Sequence, residues 1–165
     1  MPANQSLIAS HVSDSHSLTA VNLSLIPSNS PDVTQKLMDR IMGKIDNNLE
    51  DLLLYDEYDV EDMDILILSY GGACRSALSA QRELKKRGHK VGVFKAKTLW
   101  PFPEERIKAL TKQVNKVLVV EMNGGQYYYE VDRVAHHQCE VSLLGKINGE
   151  TITPNEVMDK IEEVL

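Results

Sequence analysis

Cysteine is scarce in this chain: only Cys74 and Cys139 occur among 165 residues. The two do not form a CxxC pair, and two thiols are too few for a disulfide framework, a four-cysteine zinc site or an iron–sulfur cluster within the chain. This cysteine usage predicts a reducing, cytoplasmic location.

Long apolar runs are missing as well. No stretch reaches the roughly 18 apolar residues that a transmembrane helix needs, and the start of the chain lacks the basic and apolar regions of a secretory signal. The net charge is −6, which argues against a nucleic acid or an anionic membrane as the main partner. We therefore expect a globular protein whose partners are neither membranes nor nucleic acids.

Charged residues are almost absent from residues 1–31, where Asp14 is the only one and eight residues are serine. The stretch shows no sustained helical or strand period, so we interpret it as an arm or linker. Its histidines, His11 and His16, are interpreted as solvent-facing loop residues.

A helix is predicted from about residue 31 to residue 54. Ser30 is a suitable N-cap, Pro31 suits the first helical position and Asp32 favours the positive end of the helix dipole. Apolar residues then recur at helical spacing, from Val33 to Leu52. We interpret residues 32–58 as a connecting helix between the arm and a domain spanning 59–165.

Charges are segregated along the sequence. Nine carboxylates and no lysine or arginine lie between Asp46 and Asp64, whereas twelve basic residues and three acidic ones lie between Arg75 and Lys116. Such segregation indicates either complementary faces within one domain or a contact between subunits.

Strand and helix signals alternate in the rest of the chain. Apolar runs predict strands at 64–70, 90–94, 116–121 and 140–144, and helical patterns follow each of them, the last beginning with a Thr153–Glu156 capping box. The order βαβαβαβα predicts a three-layer α/β domain, in which helices cover both faces of a parallel sheet.

Ligands of parallel sheets bind beyond the carboxyl ends of the strands, where we find three candidate loops. In the first, backbone N–H groups near Gly71 and Gly72 could hold an anion with help from Arg75 and Ser76; the alternative is a tight turn with no ligand. The second contains Trp100 and Phe102 and is either a packed corner or a contact surface.

The third loop contains Asn123, Gly124 and Gln126 and follows Glu121, a carboxylate that either has a functional role or caps the next helix. Catalytic signatures are missing: Cys74 has no histidine beside it, and the adjacent His136 and His137 point to different sides of a helix. The residues therefore predict no catalytic residue and no metal site within the chain.

Four sequence motifs together resemble those of a known family. They are Tyr70–Ala77, Thr98–Pro103 (TLWPFP), Val120–Gln126 (VEMNGGQ) with Glu130–Val131, and Gly149–Pro154. In this order and spacing they are similar to the C-terminal region of the α subunit of 2-oxoacid:ferredoxin oxidoreductases, the 2-oxoglutarate (KorA-like) branch especially, over residues 32–165. One departure is Gly72, where the family commonly has serine.

The resemblance implies a transketolase C-terminal-like fold, known as domain II in these enzymes. It also implies the oxidative decarboxylation of a 2-oxoacid, with coenzyme A and ferredoxin, to an acyl-CoA. Thiamine diphosphate, Mg²⁺ and iron–sulfur clusters are expected on other parts of the complex, with none bound by this chain alone. The chain departs from the family in lacking the α-subunit domain that precedes this region, so we expect either an expressed fragment or the product of a split gene.

The leading hypothesis is therefore an accessory and assembly domain that is not catalytic by itself. Its expected partners are a thiamine-binding β subunit and the rest of the α subunit in a ferredoxin-linked oligomer, which it would contact through Trp100, Phe102, Asn123, Gly124 and Gln126. The alternatives are a small-anion-binding or dimerisation module, or a domain of another thiamine enzyme.

Overall fold

The computed structural model describes residues 30–164, and the chain divides into two compact units, Met1–Leu49 and Glu50–Leu165. The predicted arm, with His11 and His16, lies outside the described residues except for its last two positions. None of the helices within residues 30–164 combines the length and the apolar composition of a membrane span.

Helix α1 (Pro31–Asp46) forms most of the described part of the first unit. It begins as predicted, with Pro31 at its first position, although the side chain of the N-cap residue Ser30 makes no capping hydrogen bond. The predicted continuation to residue 54 is wrong. The amide of Asn48 donates to the carbonyl of Lys44 at 2.6 Å, and such a local side-chain bond competes with further helix.

A separate short helix, α2 (Leu49–Leu52), follows, and the second unit contains a five-stranded sheet. Its strands have the spatial order β1-β3-β2-β4-β5, with β2 to β5 parallel to one another. The strands are β1 (Tyr55–Tyr58), β2 (Ile65–Tyr70), β3 (Val91–Ala96), β4 (Lys116–Glu121) and β5 (Glu140–Gly145); the remaining helices are α3 (Ala73–Lys86), α4 (Glu104–Thr111), α5 (Gln126–Ala135) and α6 (Pro154–Val164).

Helices cover both faces of this sheet, which confirms the predicted three-layer α/β fold. Alternate residues of β2 point to opposite faces, as the pleat requires. Leu66 and Leu68 belong to the core that α4 and α5 complete, whereas Ile65 and Ile67 belong to the core completed by α3 and α6. Burial on both faces explains why the central strands read as continuous apolar runs.

Strand β1 corrects the predicted extent of the connecting helix, because residues 55–58 pair with β3 in antiparallel fashion. Tyr55 stacks on Phe94 with ring centroids 4.8 Å apart. Strand β1 has four residues, two of which are adjacent carboxylates. It therefore lacks the alternation of apolar and polar residues by which a strand is predicted from sequence. The sheet is therefore mixed, with one antiparallel edge strand beside the parallel ones.

The segregated charges meet within the second unit. Asp56 lies 2.5 Å from Lys97 and 3.4 Å from Lys95, and both carboxylate oxygens of Glu57 accept hydrogen bonds from Arg106. Two further pairs, Asp59–Lys85 and Asp62–Lys90, have the same pattern. Of the two interpretations of the charge pattern, complementary faces within one domain is therefore the one that these pairs support.

Candidate functional site at the carboxyl edge of the sheet

The carboxyl ends of the four parallel strands lie at one edge of the sheet. The loops that leave this edge are residues 71–72, 97–103, 122–125 and 146–153. These loops contain or adjoin the candidates of the three predicted loops, so the topology brings these candidates to one side of the domain.

Glu121, the last residue of β4, is fully buried at this edge. Its carboxylate accepts hydrogen bonds from the backbone N–H of Tyr127 at 3.0 Å and of Tyr128 at 3.1 Å, and from the hydroxyl of Tyr70 at 3.2 Å. A buried polar side chain is costly unless hydrogen bonds satisfy it, and here three donors do so. Of the two roles predicted for Glu121, the structure shows the capping one: it satisfies free N–H groups at the start of α5.

Asn123 completes the capping of α5. Its side-chain oxygen accepts hydrogen bonds from the backbone N–H of Gly125 at 2.8 Å and of Gln126 at 3.0 Å, and its side-chain amide donates to the hydroxyl of Tyr70. Gly125 has a φ of +105°, a conformation that favours glycine. The turn is therefore closed by its own side chain and attached to β2 through Tyr70.

Three aromatic rings extend this connection across the edge. The ring of Tyr127 lies 5.4 Å from that of Tyr70 and 5.3 Å from that of Phe102, centroid to centroid. Burial, reinforced by the nearby Glu121 carboxylate, raises the pKa of Tyr70 to about 12. Burial likewise raises the pKa of Tyr127. Both phenols thus keep their protons to a higher pH than an ordinary tyrosine does.

The glycine loop begins α3. Gly71 has a φ of +57°, and a Cβ on Gly72 would come within 3.0 Å of the Met122 side chain. Arg75 is exposed, whereas the Ser76 hydroxyl donates to the carbonyl of Ile152 at 2.6 Å. The loop borders an open cleft of about 420 Å³, lined by Gly72, Ala73, Arg75, Ser76, Met122 and residues 151–154.

Apolar side chains protrude from the other edge loops. Trp100 is 65% exposed and Ile147 is 82% exposed, and Leu99 and Met122 are also exposed. Phe102 differs from Trp100, because it is half-buried against the core of its own domain. Asn123 is half-buried, and Gly124 and Gln126 are exposed. The structure thus divides the predicted contact residues into exposed groups and the groups that support them.

The remaining candidates are Cys74, at the start of α3, and the two histidines after α5. Cys74 is buried, and burial raises the pKa of its thiol, which disfavours the nucleophilic thiolate. His136 and His137 are exposed beyond the end of α5. Within residues 30–164, no group of three or more histidine, cysteine or acidic side chains is arranged to hold a metal ion.

Sequence reasoning missed Tyr70 and Tyr127 as parts of this site. Tyr70 is the last residue of a buried strand and directly precedes two glycines. A tyrosine at the end of a buried strand has a hydroxyl that needs a hydrogen-bond partner at the sheet edge. That signal was available, but the partners, Glu121 and Asn123, are more than 50 residues away in sequence.

The chain thus contains a three-layer α/β domain whose loops at the carboxyl edge of the sheet are connected to one another by hydrogen bonds and aromatic contacts. Residues 63–157 match the family model "Pyruvate:ferredoxin oxidoreductase core domain II". The chain therefore belongs to this family of 2-oxoacid:ferredoxin oxidoreductase domains, as the four sequence motifs predicted.

Similar proteins agree with this assignment. The chain is 40% identical, over 132 residues, to the 2-oxoglutarate synthase subunit KorA of Methanothermobacter marburgensis, covering 80% of this chain and 35% of that protein. It is 35% identical to the ketoisovalerate oxidoreductase subunit VorB of Methanothermobacter thermautotrophicus, covering 70% of this chain and 32% of that protein. The chain thus spans about a third of the length of these relatives.

A solved structure supports the fold. The 2-oxoglutarate:ferredoxin oxidoreductase from Magnetococcus marinus, with 2-oxoglutarate, coenzyme A and succinyl-CoA bound, superposes with a TM-score of 0.68 at 21% identity. The match covers 83% of this chain and 24% of that one. At this level of identity the likeness concerns the architecture.

Proposed function

We propose that this chain is an assembly domain of a thiamine-diphosphate-dependent 2-oxoacid:ferredoxin oxidoreductase. The observation that carries the proposal is the 40% identity to a KorA subunit, together with the family match over residues 63–157. The chain works as part of a complex and has no catalytic activity alone. The 2-oxoacid is 2-oxoglutarate, since KorA proteins of several organisms are among its relatives.

The cofactors are bound by other parts of this proposed complex. A cubane iron–sulfur cluster needs four cysteine thiolates, and the whole chain has two cysteines, both free. Thiamine diphosphate and Mg²⁺ belong to the neighbouring thiamine-binding β subunit and the rest of the α subunit. A reducing, cytoplasmic setting suits both the free cysteines and the clusters.

The contact with these subunits is made by the carboxyl-edge loops. Trp100 is the anchor, because an exposed aromatic side chain buries a large area when it enters an interface. Exposed Gly124 and Gln126 contact the partner beside it. Phe102 and Asn123 contribute from beneath, Phe102 by packing on Tyr127 and Asn123 by closing the turn.

Gentle purification of the tagged chain from its native cells tests this function. We expect a thiamine-binding subunit and a cluster-bearing subunit to co-purify, which mass spectrometry and iron and thiamine assays would detect. Trp100→Ala should lower their recovery several-fold without changing the melting temperature. Tyr58→Ala, on edge strand β1 opposite Val93 of β3, is the control and should retain them. Recovery of a chain that is colourless and free of thiamine and partners would reject the proposal.

A second candidate function is small-anion binding at the glycine loop. The observation that favours it is the cleft between the N-terminal ends of α3 and α6, which Arg75 borders; helix N-termini attract anions. Calorimetric titration with inorganic pyrophosphate tests it, with Arg75→Ala as the variant. Binding that the variant abolishes would support this function, and no heat of binding would reject it.

A further inference from the structure

We propose that Glu121 is a positioning residue for the carboxyl-edge contact surface. Its carboxylate holds the end of β2 and the turn before α5 in one arrangement, so that the exposed groups of loops 97–103 and 122–125, with Gln126 at the start of α5, form a preformed surface. The inference rests on the proposed function, because it concerns how the contact residues of that function are presented to a partner.

The reach of Glu121 distinguishes it from a simple helix cap. An ordinary N-cap side chain bonds to N–H groups two or three residues ahead, a task that Asn123 already performs for Gly125 and Gln126. Glu121 instead serves the next two N–H groups, six and seven residues ahead, and also Tyr70 on the adjacent strand. A group that only stabilised the start of α5 would not need the bond to β2.

The Tyr70 hydroxyl links the two capping side chains. It donates to the Glu121 carboxylate and accepts from the Asn123 amide. On the other side of the turn, the carbonyl of Asn123 lies so close to Gly145 that a Cβ there would be 2.8 Å away from it. The turn is thus held from β2 through hydrogen bonds and abuts β5 directly.

The aromatic rings carry the same constraint to the loop that bears Trp100. The backbone N–H of Tyr127 is fixed by Glu121 at 3.0 Å, and the ring of Tyr127 packs between those of Tyr70 and Phe102. Phe102 is two residues from Trp100. A shift of the Glu121 carboxylate would therefore move both the 122–126 turn and the support of the Trp100 loop.

The test uses the full chain with Glu121→Gln and Tyr70→Phe, which keep the side-chain volumes nearly constant. Thr111→Val is the matched control, because Thr111 is also fully buried and its hydroxyl bonds only within its own helix, to Lys108. Two measurements are made on each protein: amide hydrogen exchange of residues 122–128 compared with residues 116–120, and recovery of partner subunits in the purification described above.

We expect both edge variants to speed exchange in residues 122–128 about tenfold or more, with little change in β4, as expected for a local opening. Partner recovery should fall in parallel. The control should leave both readouts at the wild-type level even if it lowers the melting temperature. If Glu121→Gln fails to fold, Tyr70→Phe alone supplies the comparison.

Unchanged exchange at the turn, or an increase spread evenly over the whole domain, would overturn the proposal. So would faster exchange at the turn with undiminished partner recovery. If the unaltered chain recovers no partner, the proposed function fails, and the exchange measurement still decides whether Glu121 positions the loops.

Discussion

Tyr70 and Tyr127 show how two side chains can join loops that are distant in sequence. Their rings fill space under the sheet edge, and the Tyr70 hydroxyl connects Glu121 with Asn123. Burial of an aromatic ring contributes apolar area, while its hydroxyl fixes orientation. Because both phenols are held in their neutral form, the stability of the domain depends on pH in the alkaline range.

The free energy of unfolding should fall as pH rises from 10 to about 12. An unfolded tyrosine loses its proton near the ordinary pKa of 10, whereas folded Tyr70 keeps its proton until about pH 12. The unfolded state therefore binds fewer protons in this range and is favoured as pH rises; the raised pKa of Tyr127 acts in the same direction. Tyr70→Phe should show a shallower decline in urea titrations between pH 10 and about 12. Exposed Tyr129 supplies the control, Tyr129→Phe, and equal slopes in all three proteins would contradict the prediction.

Gly145 is predicted to tolerate no side chain. A Cβ would lie 2.8 Å from the backbone carbonyl of Asn123, whereas a Cβ on Gly124 would meet only the Ile147 side chain at 3.9 Å. We therefore expect Gly145→Ala to lower the free energy of unfolding by about 1–3 kcal/mol. Gly124→Ala should stay within about 0.5 kcal/mol of wild type. Chemical denaturation measures both, and equal effects of the two changes would count against the close approach.

At the scale of elements, strand β1 depends on its charges as well as on Tyr55. Both oxygens of Glu57 are bonded to Arg106, at 2.6 and 2.7 Å, and both side chains are partly buried. A bidentate pair with restricted exposure contributes more than a flexible surface pair. This contact attaches the edge strand to α4.

A double-mutant cycle with Glu57→Gln and Arg106→Gln should give a coupling energy of about 1 kcal/mol. The exposed pair Glu83–Lys86 on α3 is the control, for which we expect less than about 0.5 kcal/mol. Urea denaturation of the four proteins of each cycle supplies the values. A coupling at Glu57–Arg106 no larger than in the control would show that this ion pair adds nothing specific to the attachment of β1.

Helix α6 has a predicted start that the structure confirms. Glu156 accepts hydrogen bonds from the N–H and hydroxyl of Thr153, at 2.8 and 2.9 Å, and the N–H of Glu156 donates to that hydroxyl. This is the capping box expected from the sequence. The structure adds Lys146, whose ammonium lies 2.7 Å from the same carboxylate and comes from the loop after β5.

The contribution of Glu156 to stability should be lost in acid. Its hydrogen bonds to Lys146 and Thr153 lower its pKa from 4.5 to about 2. The stabilisation is therefore complete above pH 4.5 and declines as pH falls from 4.5 to about 2, because the unfolded state then binds more protons. Glu156→Gln should flatten this part of the stability curve, measured by urea unfolding at low pH. Glu163→Gln, which affects only an exposed pair with Lys160, should not; a similar flattening there would argue against a specific role.

At the scale of the whole molecule, both hydrophobic cores are made from the second unit. Their buried residues run from Val60 to Ile161, while α1 has no buried residue. We expect a chain beginning at Glu50 to keep its cooperative unfolding, with a melting temperature within about 2 °C of the full chain. Circular dichroism on heating measures this. A non-cooperative or strongly destabilised truncated chain would show that the first unit is needed for the fold.

The sequence by itself determined the order of the parallel strands and helices, because buried strands and amphipathic helices impose different apolar periods. It also determined local features: Pro31 at a helix start, the capping box of α6 and the loops on which the candidates lie. These features depend on residues within a few positions of one another, so they can be predicted from the sequence without the tertiary structure.

Only the tertiary structure decided which partners distant residues have. Strand β1 is defined by its pairing with β3. Glu121 caps α5 and bonds to Tyr70 only because the fold places them beside it. Phe102 packs on Tyr127, whereas Trp100 is exposed. Each outcome depends on a hydrogen bond or a packing contact between elements. Such contacts are set by the spatial order of the strands, which the alternation of apolar and polar residues along the chain does not specify.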